Sequence, residues 1–176
     1  MELSEAMKRR KSVRSYTGEP ITEEQLQHIL QAAWAAPVGG ARYNTVHMTI
    51  VKNKDMLAKI EKNMADKTGN SDFHPLYGAP LMIIFSIKDP GNEKVTAADV
   101  GCILQNMALA ATEEGVGHCD IYGATVLLDQ NEELKRELGI PEGYTALGSM
   151  ILGQTDEKYE IRDIPDHRFG GENTIE

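Results

Sequence analysis

The sequence predicts a single three-layer α+β domain, with helices packed on both faces of a central sheet. A chain of 176 residues with 41% hydrophobic content can bury one core, and no repeat or linker divides it. The apolar run APLMIIFSI, residues 79–87, is too short for a helix that is apolar all round. It therefore predicts a strand buried on both faces at the centre of the sheet. Helical and strand patterns interleave irregularly, which disfavours a repeating βαβ series.

Two helices are predicted before the first strand. A short helix begins at Ser4, and a run of cations, KRRKSVRSY, follows at its end. Thr22 and Gln25 have the spacing of a capping box, and apolar residues follow at helical spacing until Pro37. The residue before a proline disfavours helical backbone, so the second helix ends there.

The later elements follow from periodicity and from turn residues. They are a strand at 45–51, a surface helix at 54–63, the central strand at 79–87, a helix at 96–114, a strand and turn at 118–128, a short helix at 131–138 and a strand at 146–153. The helix at 96–114 carries one apolar stripe with small alanines and is predicted to lie in the core, with Cys102 in the buried region. Residues 154–176 are predicted to form a polar C-terminal arm of the single domain 1–176.

Composition and motifs exclude several classes of function. The net charge of -9 and the pI of about 5.1 disfavour nucleic acid and anionic membranes as partners. No apolar run reaches the roughly 20 residues of a membrane span, so a cytoplasmic protein is expected. The histidines show no metal-ligand spacing, and neither a GxSxG elbow nor a GxGxxG or Walker sequence is present. No metal site and no catalytic side chain are therefore predicted.

The basic segment, residues 8–16, is the main candidate binding feature. A solvated surface cluster is the ordinary alternative for such a run. Arg10 and Arg14 carry forked donors that suit phosphate oxygens, and Ser12 adds a hydroxyl between them. This combination suits a small phosphate monoester better than a nucleic acid, which would require further basic residues interleaved with aromatics. A second candidate is PVGG, residues 37–40, where backbone can approach a flat ligand; a plain turn is the commoner case.

Because the sequence shows no motif of a catalytic side chain or a metal site, the chemistry is expected to come from a bound cofactor. The motifs RRKSVRSY, APVGG, GAPLMIIF, DVGCILQNMALAATEEGVGHCDIYG and IPDHRF, in this order, resemble the FMN-dependent nitroreductase family. The resemblance spans nearly the whole chain. It implies a mixed, mainly antiparallel sheet flanked by helices and an intertwined homodimer with FMN at the interface.

The resemblance also implies a set of cofactor-binding residues. The RxSxR segment would hold the phosphate, ribityl chain and pyrimidine edge, with Arg14 near the flavin N1 and O2 edge. The PVGG loop would reach the flavin of the partner subunit, the backbone of the IYG turn would address flavin N5, and a basic pair near the C-terminus would close on the phosphate. The residues are Arg10, Lys11, Ser12, Arg14, Pro37, Val38, Gly39, Ile121, Tyr122, Gly123, His167 and Arg168.

Three departures from the family pattern concern the same site. ARYNT, residues 41–45, stands where the family commonly has N-x-Q-P-W, so contacts from this stretch are not carried over. Asp166 stands where a lysine is often found, and this change shifts the expected phosphate grip to the N-terminal cluster. Asn70 and His74 lie in a loosely matching loop and are only possible contacts with the pyrimidine edge.

The resemblance implies an enzyme that passes two electrons from NAD(P)H through FMN to a nitroaromatic, a quinone or a similar acceptor by a ping-pong mechanism. The chain is short for the family, so the acceptor and the choice between NADH and NADPH stay open. The alternatives are a flavin-binding carrier or redox sensor without turnover, and an interaction module that uses the basic segment on an acidic partner.

Overall fold

The central sheet has four strands in the order β1-β2-β4-β3. A computed structural model describes residues 1–88, 93–165, 169–171 and 173–175. The strands are β1 Val46–Val51, β2 Leu81–Lys88, β3 Gly117–Asp120 and β4 Tyr144–Gly153. Every pairing in this described sheet is antiparallel. The predicted central strand is β2, which pairs on both sides and is buried along its length except at Lys88.

Helices cover both faces of the sheet, which confirms the predicted fold class. They are α1 Leu3–Arg9, α2 Glu23–Trp34, α3 Lys54–Thr68, α4 Glu93–Glu113, α5 Gly123–Asp129 and α6 Glu132–Glu137. Alternate side chains of β2 point to opposite faces, as the two-residue period of a strand requires. Ile83 and Phe85 pack in the core with α2 and α4, while Met82 and Ile84 pack in the core with α3, α5 and α6.

The helix signals in the sequence set most of the boundaries. Both hydrogen bonds of the capping box are present: the Gln25 N–H donates to the Thr22 hydroxyl oxygen, and the Thr22 N–H donates to the Gln25 side-chain oxygen. Helix α3 continues past the predicted residue 63 because Met64 extends its buried stripe, and it ends at the left-handed Gly69 with φ 66°. Residues after Gly123 form α5, where Ala124, Thr125 and Leu128 are buried at helical spacing.

Helix α4 is the core helix that the periodicity predicts, and it begins at Glu93 instead of Thr96. Its stripe is buried, but Cys102 lies on the exposed side of α4, so its predicted place on the buried side was wrong. Among the described residues α4 is also the one helix long and apolar enough to span a membrane by length and composition. Half of the apolar stretch of α4, which lies within Val95–Glu113, is buried by the sheet and by neighbouring helices, so packing accounts for its apolar character.

Candidate cofactor site

The basic segment leaves α1 at Arg10 and runs along the free edge of β3. The backbone N–H of Val13 donates to the carbonyl oxygen of His118 at 2.8 Å, and the Val13 side chain is fully buried. One buried valine between polar neighbours thus anchors the segment to the sheet. Its neighbours Ser12 and Arg14 keep contact with solvent.

The first part of the C-terminal arm holds the basic segment from the other side. The Thr155 hydroxyl donates to the carbonyl of Ser15 at 2.7 Å, and the Arg162 backbone N–H donates to the carbonyl of Lys8 at 3.2 Å. The Arg9 guanidinium donates to the Tyr159 carbonyl at 2.5 Å. The segment is therefore fixed between β3 and residues 154–162.

The predicted cations differ in whether a carboxylate neutralises them. Lys11 Nζ lies 2.8 Å from Glu157 Oε2, and the Arg14 backbone N–H donates to Glu157 Oε1 at 3.0 Å. The Lys11 ammonium, together with this backbone N–H, lowers the pKa of Glu157. The guanidinium groups of Arg10 and Arg14 form no ion pair with the described residues. These two arginines are thus the cations left to meet an anion.

A buried histidine and a half-buried tyrosine stack beside the segment. His118 is 1% exposed, its Nδ1 lies 2.9 Å from the Tyr159 hydroxyl, and the two rings stack. The Tyr159 hydroxyl donates to the Val116 carbonyl at 2.7 Å. Burial lowers the pKa of His118 to about 4, with the Val116 carbonyl opposing and the Arg10 charge adding to the shift. Of the four buried side-chain polar atoms that have no hydrogen-bond partner among the described residues, two belong to this region: His118 Nε2 and the Tyr16 hydroxyl.

The IYG turn follows β3 directly, so it continues the strand with which the basic segment pairs. The Ile121 N–H donates to the Ser149 carbonyl at 2.8 Å. The Ile121 carbonyl accepts from the Thr125 hydroxyl at 2.5 Å and from the Ser149 hydroxyl at 2.8 Å. Tyr122 is 69% exposed and Gly123 begins α5. The backbone N–H groups of Tyr122 and Gly123 have no acceptor in the described part of the chain.

A cavity of about 150 Å³ lies between this turn, β4 and α4. Its walls include Gly101 on α4, Asp120 at the end of β3 and Tyr122 on the turn. A Cβ built on Gly101 would meet no heavy atom within 4 Å, so the missing side chain leaves the α4 wall open. Partial burial raises the pKa of Asp120, and the nearby Arg10 charge opposes the shift.

The PVGG loop packs on the first half of α4. The Gly39 N–H donates to Asp99 Oδ1 at 2.8 Å, and a Cβ on Gly39 would lie 2.8 Å from Val95 Cγ1. Val38 lines a separate apolar cleft of about 330 Å³ with Trp34 and other side chains. No hydrogen bond or ion pair among the described residues joins the loop to the basic segment.

The structure thus pairs the basic segment with β3, the strand that leads into the IYG turn, and within one chain no polar contact among the described residues joins Pro37, Val38 or Gly39 to that segment. His167 and Arg168 lie outside the described residues. The His74 ring is 3.7 Å from Glu61, and Asn70 caps its own loop through Asp72. No described contact links Asn70 or His74 to the turn.

Sequence reasoning missed four residues at this site. They are Asp99, Asp120, Thr125 and Ser149. Asp99 begins the DVG motif, but it lies far from Gly39 along the chain, so no local pattern indicates that the two residues are in contact. Thr125 and Ser149 are hydroxyls in apolar stretches, which is the signal that could have identified them, because a buried hydroxyl requires a hydrogen-bond partner. No cluster of metal-ligating side chains occurs in the described ranges.

Comparisons with known proteins identify the family of this chain. Residues 7–154 match the model of the nitroreductase family. The NADPH-flavin oxidoreductase of Vibrio harveyi is 31% identical over 171 residues, which cover 93% of this chain and 70% of that protein.

Two solved structures are similar along nearly their whole length. The Bacteroides fragilis nitroreductase with bound FMN is 28% identical, with a TM-score of 0.84 and coverage of 100% of both chains. The Desulfitobacterium hafniense nitroreductase with bound FMN is 28% identical, with a TM-score of 0.82 over 94% of this chain and 95% of that chain. The chain therefore belongs to the nitroreductase family.

Proposed function

We propose that this protein is an FMN-dependent oxidoreductase that takes electrons from NAD(P)H and passes them to a nitroaromatic, a quinone or a similar small acceptor. The observation that carries the proposal is that a segment with two unpaired guanidinium groups, Arg10 and Arg14, pairs with β3, the strand that leads into a turn whose N–H groups have no acceptor in the described chain. Cations suit a phosphate, and outward N–H groups suit the polar edge of a flavin ring.

The described residues fit FMN both at the basic segment and at the α4 wall of the cavity. Arg10 and Arg14 supply donors for the phosphate and for the pyrimidine edge, and Ser12 lies between them with a half-buried hydroxyl. The missing side chain at Gly101 opens a wall beside the turn. When bound, FMN would supply the exchange of two electrons, which it accepts as a hydride, so the side chains need only bind and orient it. The fixed charge of Arg14 would stabilise negative charge on a reduced flavin.

The site on one chain is half of a complete pocket. The cavity beside the turn has about 150 Å³, whereas ligand pockets usually have about 300–1,000 Å³. A second wall is therefore required, and the PVGG loop of a partner subunit is the proposed wall, because within its own chain this loop makes no polar contact with the basic segment among the described residues. The homodimer is part of the proposal.

The electron donor and acceptor are proposed from chemistry and from the relatives. The Vibrio harveyi relative is an NADPH-flavin oxidoreductase, and NADPH or NADH is the proposed donor here. A half-open cleft suits the alternate entry of a nicotinamide and a flat acceptor. The cytoplasm is the proposed location, because reduced nicotinamides are available there, and Cys102 and Cys119 are both free.

The purified protein provides a direct test. We expect a yellow protein, or colourless protein that takes up FMN at micromolar concentration with one site per chain. Anaerobic addition of NADPH or NADH should then bleach the flavin absorbance, and a nitroaromatic or a quinone should restore it.

Each failure has a different meaning. Protein that takes up no FMN would exclude every flavin function. Bound FMN that no nicotinamide reduces would instead favour the carrier or sensor. Arg10→Ala with Arg14→Ala should weaken FMN uptake, while Lys67→Ala with Arg136→Ala, which removes two exposed cations on α3 and α6, serves as the charge-matched control.

A further inference from the structure

The carbonyl group of Ile121 is held by two buried hydroxyls from different elements. Thr125 on α5 donates to it at 2.5 Å and Ser149 on β4 donates at 2.8 Å, and both residues are fully buried. The Ser149 carbonyl also accepts the Ile121 N–H at 2.8 Å. Ser149 therefore holds both backbone polar groups of Ile121, one through its side chain and one through its main chain.

Fixing this carbonyl fixes the direction of the next N–H. The Ile121 carbonyl and the Tyr122 N–H belong to one planar trans peptide group, in which they point in opposite directions. The carbonyl points to buried hydroxyls, so the Tyr122 N–H points away from them. This N–H has no acceptor among the described residues, and Tyr122 itself is exposed and lines the cavity.

We propose that Ser149 and Thr125 are positioning residues that aim the Tyr122 N–H at the N5 edge of the bound flavin. The inference rests on the proposed function, since without FMN the N–H has no ligand to meet. It assigns to two buried hydroxyls a role in cofactor recognition through a backbone group.

Hydrogen counting predicts how the two hydroxyls share this role. The two hydroxyl oxygens lie 2.7 Å apart, so three short contacts exist among them and the Ile121 carbonyl. Each hydroxyl carries one hydrogen, so two hydrogens serve three contacts. Either hydroxyl alone can still donate to the carbonyl. Loss of one should therefore have a small effect, and loss of both should have more than twice that effect.

The test compares hydroxyl deletions at the turn with equally buried deletions elsewhere. The variants are Thr125→Val, Ser149→Ala and the double variant. Thr112→Val is the matched threonine control, because Thr112 is buried and donates to the Ala108 carbonyl at 2.8 Å on α4. Ser86→Ala is the serine control, because Ser86 is buried on β2 and its hydroxyl has no hydrogen-bond partner among the described residues. Thr125→Ser keeps the hydroxyl and should restore the wild-type result.

The readouts are the dissociation constant of oxidised FMN and the ¹⁵N chemical shift of N5 in labelled FMN bound to the full chain. We expect the double variant to bind oxidised FMN about tenfold more weakly, which corresponds to the loss of one hydrogen bond. Its N5 signal should move toward that of free FMN. Each single deletion should move both readouts less, and the two controls should move neither.

The outcomes separate this inference from the function on which it rests. If the wild type takes up no FMN, the proposed function fails and the inference fails with it. If the wild type binds FMN and the double variant keeps its affinity and N5 shift, the inference is wrong while the function stands. If the double variant does not fold, single deletions that behave like Thr112→Val and Ser86→Ala overturn the inference equally.

Discussion

Replacing His118 by leucine should remove a specific acid sensitivity of the fold. Burial lowers the pKa of His118 to about 4 from an ordinary value of 6.5, despite the opposing Val116 carbonyl, and the Arg10 charge adds to the shift. The ring is neutral in the folded state and becomes charged on unfolding at acid pH. A lowered folded pKa means that this stability is present above 6.5 and is lost as the pH falls toward 4.

The magnitude follows from the two pKa values. Between about pH 7 and pH 5, protonation of the unfolded histidine lowers the free energy of unfolding by about 2 kcal/mol, and by about 3 kcal/mol at pH 4. Leucine at this position cannot titrate, and it stands opposite Leu152 on β4. The Tyr159 hydroxyl keeps the Val116 carbonyl as its acceptor, so the substitution leaves that group satisfied.

Urea unfolding followed by circular dichroism, at fixed protein and FMN concentration, measures the effect. The difference in unfolding free energy between the wild type and His118→Leu should shift in favour of the variant by about 2 kcal/mol from pH 7 to pH 5. His28 is the control with the opposite sign: its hydrogen bond to Glu114 raises its pKa. His28→Gln should therefore lose stability relative to the wild type at acid pH. Parallel pH profiles for the wild type and His118→Leu would refute the reasoning.

Four further substitutions test the site and its loop. Arg14→Ala should weaken FMN binding roughly tenfold or more and lower the flavin potential, whereas Lys11→Ala should do less, because Lys11 is bound to Glu157 and acts on an anion only by balancing that carboxylate; fluorescence titration and redox titration measure both, and an unchanged Arg14→Ala would contradict the assignment. Gly39→Ala should lower the free energy of unfolding in urea by about 1–3 kcal/mol, because its Cβ would lie 2.8 Å from a helical valine. Ala41→Gly should raise that free energy by up to about 1 kcal/mol, since Ala41 has φ 55°; a loss of stability would contradict this explanation.

Local signals in the sequence predict the fold well because they act within one element. The capping box at Thr22 and the largely apolar run before Lys88 each specify one element by short-range chemistry, and both are confirmed. Helix α5 was not predicted, since its residues are rich in strand formers and the burial of Thr125 and Leu128 against other elements decides its conformation. Tertiary packing is not visible in a local pattern.

In the candidate site, too, the local sequence predicts some features and tertiary contacts decide others. The sequence predicts the cations at Arg10 and Arg14 as residue types, but not which of the cations remain unpaired. That depends on Glu157, which lies far away along the chain and reaches Lys11 only through the folded arm. The geometry of the turn likewise depends on Ser149, which comes from the neighbouring strand. Contacts of long sequence separation therefore set the chemistry of residues that the sequence can only nominate.

The arm also explains how an acidic protein can keep an anion site. The chain carries a net charge of -9, and Glu157 lies directly on the basic segment. Because the Lys11 ammonium and the Arg14 N–H both bind this carboxylate, its charge is already balanced there. In the proposed complex, the guanidinium groups of Arg10 and Arg14, which form no ion pair with the described residues, would meet the phosphate. Lys11 would then contribute to anion binding chiefly by neutralising Glu157, which is a different role from the direct phosphate contact that the motif implies.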